Sequence, residues 1–414
     1  MDVLIDRCAA LDVHKDQVTV NVRRWSATGR LRENETRTFS TMLASLGELR
    51  RWLLAEQVTV VAMEATGVYW KPVWYVLEDA AVFELKLLNP THVKAVSGRK
   101  TDVRDARWLS KLVEADLVDS SFVPPQTIRE LRDVTRYRRR IVEEQGRELQ
   151  RLQKLLEDAQ VKLDSVVTNI NGVSSRLILR ALCNGERDPD VLAELAVGKL
   201  RRKIAALRQA VPGRFSEHHA ILVSEILAHV DYLAAIEQRL DTRVEELIAP
   251  FSAARDLLVT IPGIQRRTAE MVIAEIGVDM DRFPSPAHLA SWAGLCPGNN
   301  ESAGKHRSAK TRKGDPWLRC ALAEAAWSAA RTKHTSMQTR FWRIARHRGE
   351  EKAIIAVAHH LLVVIWWMLH EHVPYNEMGD DYLTRRIDPE RRQRQLIHQL
   401  ERLGLTVTVE PAAA

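Results

Sequence analysis

Cysteine is scarce: Cys8, Cys183, Cys296 and Cys320 are scattered through 414 residues, with no paired spacing. This excludes a disulfide framework and a thiolate zinc site, and points to a reducing cytoplasm. Long apolar runs are scarce too. The longest, AIIAVAHHLLVVIWWML at 353–369, is interrupted by His359 and His360. It falls short of the roughly 20 residues that span a bilayer, so the expectation is a buried helix and no membrane. The opening MDVLIDR lacks the basic-then-apolar pattern of a secretory leader. Neither charge sign dominates. Lys+Arg 61 against Asp+Glu 54 leaves +7 and a pI near 9.3, which favours a polyanionic partner without specifying one. A nucleotide-binding P-loop is also missing. In GNNESAGKHRS, Gly298 and Gly304 are one residue too far apart, His306 stands where Ser or Thr would hold magnesium, and no strand leads in.

What is present divides by pattern, and the length suits two or three domains. Residues 1–123 alternate strand and helix signals. CAALDV and QVTVNVRRW read as a hairpin turning at His14–Asp16, with ENETRTFS a third strand. MLASLGELRRWLLAE, YWKPVWYVLED and TDVRDARWLSKLVEADL read as helices, the last capped by Thr101 or Asp102, with strands VTVVAME and VFELKLL between them. The order β-β-β-α-β-α-β-α resembles the ribonuclease H and RuvC (Holliday-junction resolvase) type of fold, an analogy of element order only. Pro124-Pro125 marks a boundary. Over 124–250 the apolar series Val142, Gln145, Leu149, Leu152, Leu156, Ala159, Leu163 and Ile226, Val230, Leu233, Ile236, Leu240, Val244, Leu247 recur at threes and fours. Such spacing predicts two long helices, either a coiled-coil arm for self-association or a bundle within the chain. Residues 251–375 form a third, largely helical unit rich in small residues and tryptophan. The 376–414 tail is polar and expected to be partly disordered. The fold class is therefore α/β followed by all-α.

Four carboxylates stand where they are costly to bury unpaired: Asp12 in CAALDVHK, Glu64 ending VTVVAME, and Asp102 and Asp105 in TDVRDARWL. Singly, each could begin a turn or cap a helix. As a set on one α/β unit they ask for a hard cation, Mg2+ or Mn2+. Two such ions could serve an in-line phosphoryl displacement. LLVTIPGIQRRTAEMVIAEIG reads as a helix-hairpin-helix turning at Pro262 and Gly263, with Gln265 and Arg266 opening the second helix toward a phosphate. An ordinary Pro-Gly helical hairpin is the plainer alternative. Ser302 lies among Lys305, His306, Arg307, Lys310, Arg312 and Lys313. Composition alone favours a loop that grips phosphate over a nucleophile site. The tryptophans at 292, 317, 327, 342, 366 and 367 fit a core better than base stacking.

LDVHK, MEATGVYW, NPTHVKAVSGRKTDVRDA, the IPGI…AEIG hairpin, WAGLCPGNNESAGK and RKGDPWLR follow in this order. Together they resemble the DEDD transposases of the insertion-sequence one-ten family, which includes the Piv-type DNA invertases. The resemblance spans nearly all of residues 8–375. It implies a RuvC-like domain with Asp12, Glu64, Asp102 and Asp105 as the metal-binding tetrad. It also implies a transposase domain whose nucleophilic serine matches Ser302, followed by Ala303, Gly304 and Lys305. The family usually has glycine where Ala303 stands, so Ser308 is the fallback. Further implications are a homo-oligomer (dimer or tetramer) joined by coiled-coil arms, DNA at element ends and target, and a structured guide RNA pairing with both. A nucleoid-associated cytoplasmic protein of a prokaryote would fit. Two rival readings stay open: a junction nuclease using metal-activated water, and a non-catalytic DNA-bridging protein.

Overall fold

The computed structural model describes residues 4–26, 28–65, 67–88, 102–118, 120–297, 300–302, 305–308, 311, 313–382 and 389–409. It divides into two compact units, Met1–Val123 and Pro124–Ala414.

The first unit is a six-stranded mixed sheet of order β3-β2-β1-β4-β5-β6. Strands β1 (Cys8–Val13), β2 (Gln17–Trp25) and β3 (Arg32–Ser40) form an antiparallel meander. Strands β4 (Val60–Glu64) and β5 (Glu84–Leu88) continue it in parallel from β1. A two-residue strand, β6 (Ser120–Ser121), closes the edge antiparallel to β5 and is too short for any periodicity to reveal. Period-two alternation sends Val18, Val20 and Val22 with Leu11, Val13, Val61 and Met63 into one core. There they meet α1 (Leu43–Ala55) and α2 (Trp70–Glu78). The opposite face carries small residues, Cys8, Ala10 and Ala62, under Leu109 and Val113 of α3 (Asp102–Glu114). Small side chains there let α3 approach the sheet closely.

In the second unit, α4 (Gln126–Asp158) is followed by short helices α5 (Leu163–Val166), α6 (Val173–Cys183), α7 (Pro189–Glu194) and α8 (Ile204–Ala210). The long α9 (Glu217–Ile248) then packs back on α4. Arg138 pairs with Asp241 at 2.9 Å, Glu148 with His229 at 3.3 Å, and Asp158 with His219 at 3.2 Å. Positions rise on one helix as they fall on the other, so the pair is antiparallel. Of the two readings of the apolar seam, this pairing follows the bundle within the chain: Leu152, Leu156, Val223 and Leu227 share one core with α5–α8. Its phase also differs from expectation. Ile141 is buried while Val142 is 38% exposed, because α4 here packs against α11 as well as α9.

Helices α10 (Ser252–Val259) and α11 (Arg266–Ile276) form the hairpin around Pro262 and Gly263. They are followed by α12 (Pro286–Trp292), strands β7 (Asn300–Ser302) and β8 (Lys305–Ser308), α13 (Pro316–Arg331), α14 (Ser336–Arg348) and α15 (Glu350–Glu371). By length and hydropathy, α15 and the stretch Glu217–Val259 would each suffice to cross a membrane. Yet α15 buries Val357, Ala358, Leu361, Leu362 and Ile365 in this unit, packed against α12, α13 and α14, as a core helix does. The tryptophans are divided: Trp366 is buried, whereas Trp342 and Trp367 are about half exposed. Within the 376–414 tail, several described residues are structured. Glu377 accepts from the Ser336 amide at 2.8 Å, Tyr382 is buried, and α16 (Pro389–Arg402) is helical, because Leu396, Ile397 and Leu400 recur at helical spacing inside a polar sequence.

Candidate active site

Asp12 and Glu64 come together on neighbouring strands. Leu11 pairs with Met63 in the parallel β1–β4 ladder, so the next residue on each strand is an acid. Leu11 and Met63 face the α1/α2 core. Alternation therefore turns Asp12 and Glu64 to the α3 face, at the carboxyl ends of strands about 4.8 Å apart. Asp12 is 16% exposed, and its Oδ2 lies 3.3 Å from His14 Nε2.

Helix α3 runs antiparallel to β1. The Leu4 and Ile5 amides donate to Glu114 O at its far end, and Cys8 Sγ donates to Ser110 O at 3.6 Å. From Ser110 back to Asp102 the helix climbs about 12 Å at about 1.5 Å per residue. From Cys8 to Asp12 the strand climbs about 13 Å at about 3.3 Å per residue. The first turn of α3, with Asp102 and Asp105, is thus level with Asp12. Asp105 and Asp102 precede Leu109, which packs on the sheet, by one and two turns. The side chains of Asp102 and Asp105, and the candidate cap Thr101, lie outside the described residues. Among the described residues no group of three His, Cys, Asp or Glu side chains stands close enough to hold a metal.

Sequence reasoning missed what fixes α3 in place. The Ser110 hydroxyl donates to Asn21 Oδ1 at 2.6 Å, and Asn21, fully buried, donates to Thr36 Oγ1 at 2.9 Å. Glu114 binds Arg23 at 3.0 Å and also Arg32. The available signal was the polar alternation Thr19, Asn21, Arg23 within a valine strand.

In the second unit Gln265 is the N-cap of α11, and Arg266 opens it. Arg266 is already paired with Glu245 and, at 3.0 Å, with Glu270. Gly263 has φ +92°, and a Cβ there would sit 2.5 Å from Ala325 O, so only glycine lets the turn lie on α13. The segment read as a basic loop contains an antiparallel hairpin instead. Ser302 pairs with Lys305 and Asn300 with Ser308, and a further bridge joins Pro297 to Thr311. No apolar alternation announced it. Ser302 and Ser308 therefore lie on opposite strands, at opposite ends of the ladder. The side chains of Ser302, Lys305, His306, Arg307 and Ser308, together with Lys310 and Arg312, lie outside the described residues. Lys313, beyond the bridge, is exposed.

A profile described as a transposase, of the DEDD IS110 type, matches residues 9–160. A second, described as a transposase of the IS116/IS110/IS902 family, matches residues 255–341. An uncharacterised 43.6 kDa protein of insertion element IS110 from Streptomyces coelicolor is 28% identical over 155 residues, 37% of each chain. Pilin gene-inverting proteins of Moraxella bovis and Moraxella lacunata are each 31% identical over 125 residues, 29% of this chain and 38% of theirs. Each match thus spans little more than a third of the relative's own length. The two profiles fall in order on the acid-bearing sheet and on the unit that carries the serine hairpin, and the chain belongs to the IS110 family of DEDD transposases.

Proposed function

We propose that the chain is a DNA recombinase that moves its own insertion element by cutting and rejoining DNA strands. The observation that carries this reading is the pairing of Asp12 and Glu64 on adjacent parallel strands, level with the first turn of the helix bearing Asp102 and Asp105. In this reading the first unit is RuvC-like, and its tetrad, Asp12, Glu64, Asp102 and Asp105, holds Mg2+ or Mn2+. An all-oxygen donor set fits such hard ions. When bound, the ion supplies charge neutralisation at the scissile phosphate.

The remaining chemistry belongs to the chain. Ser302 Oγ attacks the phosphorus, a serine–phosphate bond forms, and the bond from phosphorus to a sugar oxygen breaks. The serine proton passes through solvent to the released sugar hydroxyl. Attack by a sugar hydroxyl of the recipient strand reverses the step and frees the serine, so bond energy is conserved without a nucleotide. Lys305, Arg307, Lys310, Arg312 and Lys313 provide cations along the hairpin for the phosphate. Gln265 and the α11 amides meet backbone rather than bases. A structured guide RNA would supply sequence choice. A second copy would have to bind outside the α4–α9 seam, which the chain fills itself.

The test uses purified protein, Mg2+ and a plasmid carrying the gene's flanking DNA, with RNA transcribed from that flank. Denaturation should trap a protein–DNA adduct that Ser302→Ala abolishes. Cleavage without any adduct would favour hydrolysis by activated water. Recombination at full rate by Ser302→Ala would overturn the covalent step.

A further inference from the structure

The most deeply buried carboxylate among the described residues takes no part in this chemistry. Glu275, near the end of α11, is 0% exposed. Arg136 grips it with two bonds of 2.7 Å, Nε to Oε1 and Nη2 to Oε2. Arg132 caps the same helix end, donating to Ala274 O at 3.0 Å and Glu275 O at 2.6 Å. Burial pushes the Glu275 carboxyl up, while Arg136 and Arg132 pull it back. A carboxylate this deep needs such forked pairing to stay charged.

Arg136 has a second partner. Its Nη2 also donates to Asp315 Oδ2 at 3.0 Å, and its guanidinium lies 5.6 Å from the Trp317 ring centre. The other oxygen of Asp315 caps α13, accepting from the Trp317 and Leu318 amides at 2.8 and 2.9 Å. Just before it, Gly314 lies against the chain that enters the hairpin. A Cβ at Gly314 would stand 2.3 Å from Ala293 C and Gly294 N. The two feet of the β7–β8 hairpin therefore close on each other at Gly314, and Asp315 ties that closure to Arg136 and Glu275. A lone two-stranded hairpin is marginally stable in water, so its rigidity has to come from its base.

We infer that Glu275, Arg136 and Asp315 form a positioning clamp through which the first turns of α4 hold the Ser302 hairpin in place. None of the three touches DNA in this scheme. The catalytic consequence rests on the proposed role of Ser302; the mechanical one does not.

Asp315→Asn is the discriminating variant, because asparagine still caps α13 but no longer attracts Arg136. Amide exchange across 300–308 should quicken about tenfold as the hairpin opens more often. Adduct formation should fall about tenfold or more, since misplacement of about 1 Å can cost that much. DNA affinity should stay within about threefold, which plain unfolding or a lost DNA contact would not allow. The double variant Arg136→Gln/Asp315→Asn should be no worse than the worse single one, as expected for partners in one interaction. Unchanged exchange across 300–308 in Asp315→Asn would overturn the clamp. So would a fall in DNA affinity that matches the fall in adduct. Faster exchange together with full activity of Ser302→Ala would leave the clamp standing and sink the serine reading instead.

Discussion

Asp12 and Glu64 sit on central strands whose two faces are covered, one by α1 and α2, the other by α3. Ser302 ends a three-residue strand that pairs with one other strand. The acids inherit their placement from a sheet register that cannot slip by one residue without driving the valine face into the close-packed small-residue face under α3. The serine inherits its placement from ion pairs and two glycines at the foot of a hairpin. The lesson is that one site is held by burial and the other by a few polar contacts. Mutation should then affect them differently: chemistry and stability separate cleanly at the sheet, and mix at the hairpin.

The largest effects should come from the groups proposed to carry the reaction. Asp12→Asn and Ser302→Ala should each lower adduct formation by about a thousandfold or more, the scale seen when a single member of a catalytic set is removed. Both should melt within a few degrees of the parent, because each substitution keeps or slightly trims the size of a polar side chain. Chelation of divalent ions should reproduce the Asp12→Asn defect, and excess Mg2+ should reverse it. An Asp12→Asn variant that melts far below the parent would mean that the acid is structural, and would break the contrast.

Next come the residues that hold each site. Glu275→Ala leaves Arg136 and Arg132 without their buried partner and should cost about 3 kcal/mol in denaturant unfolding. Ser110→Ala, under α3, should cost less, about 1–2 kcal/mol, for one buried hydrogen bond to Asn21. Its cleavage defect should be small, since Glu114 still anchors α3 to Arg23 and Arg32. If Ser110→Ala cost more than Glu275→Ala, polar contacts would matter more to the sheet than to the hairpin unit, reversing the comparison.

How much of this was readable beforehand follows from the same physics. Strands β1 to β5 and helices α1 to α3 announce themselves because period 2 and period 3.6 are imposed by burial. The acids stand out as breaks in those patterns. Ser302 as a nucleophile, by contrast, was named through family resemblance. The β7–β8 hairpin was missed because its residues are nearly all polar, and polar ladders leave no periodic trace. The clamp was missed because Glu275 inside MVIAEIG gives no hint that Arg136, far away in sequence, will reach it. The α4–α9 seam was legible as a seam but not as to its occupant: heptads specify a partner helix without saying from which chain it comes.

The smallest predicted effect concerns acid stability of the second unit. His360 on α15 is pushed down to about 4, first by burial, then by Arg340 and by His359, itself pushed down. An imidazole in the unfolded chain titrates near pH 6.5. Between these values the unfolded chain takes up a proton that the folded one refuses, so stability is complete above about pH 6.5 and declines toward pH 4. Partial exposure of the ring trims the effect to about 1–2 kcal/mol. His360→Gln should flatten the unfolding free energy over that window and leave it unchanged at pH 8. An equal slope in parent and variant would assign the acid sensitivity elsewhere, with the ion pairs around Glu275 the next place to look.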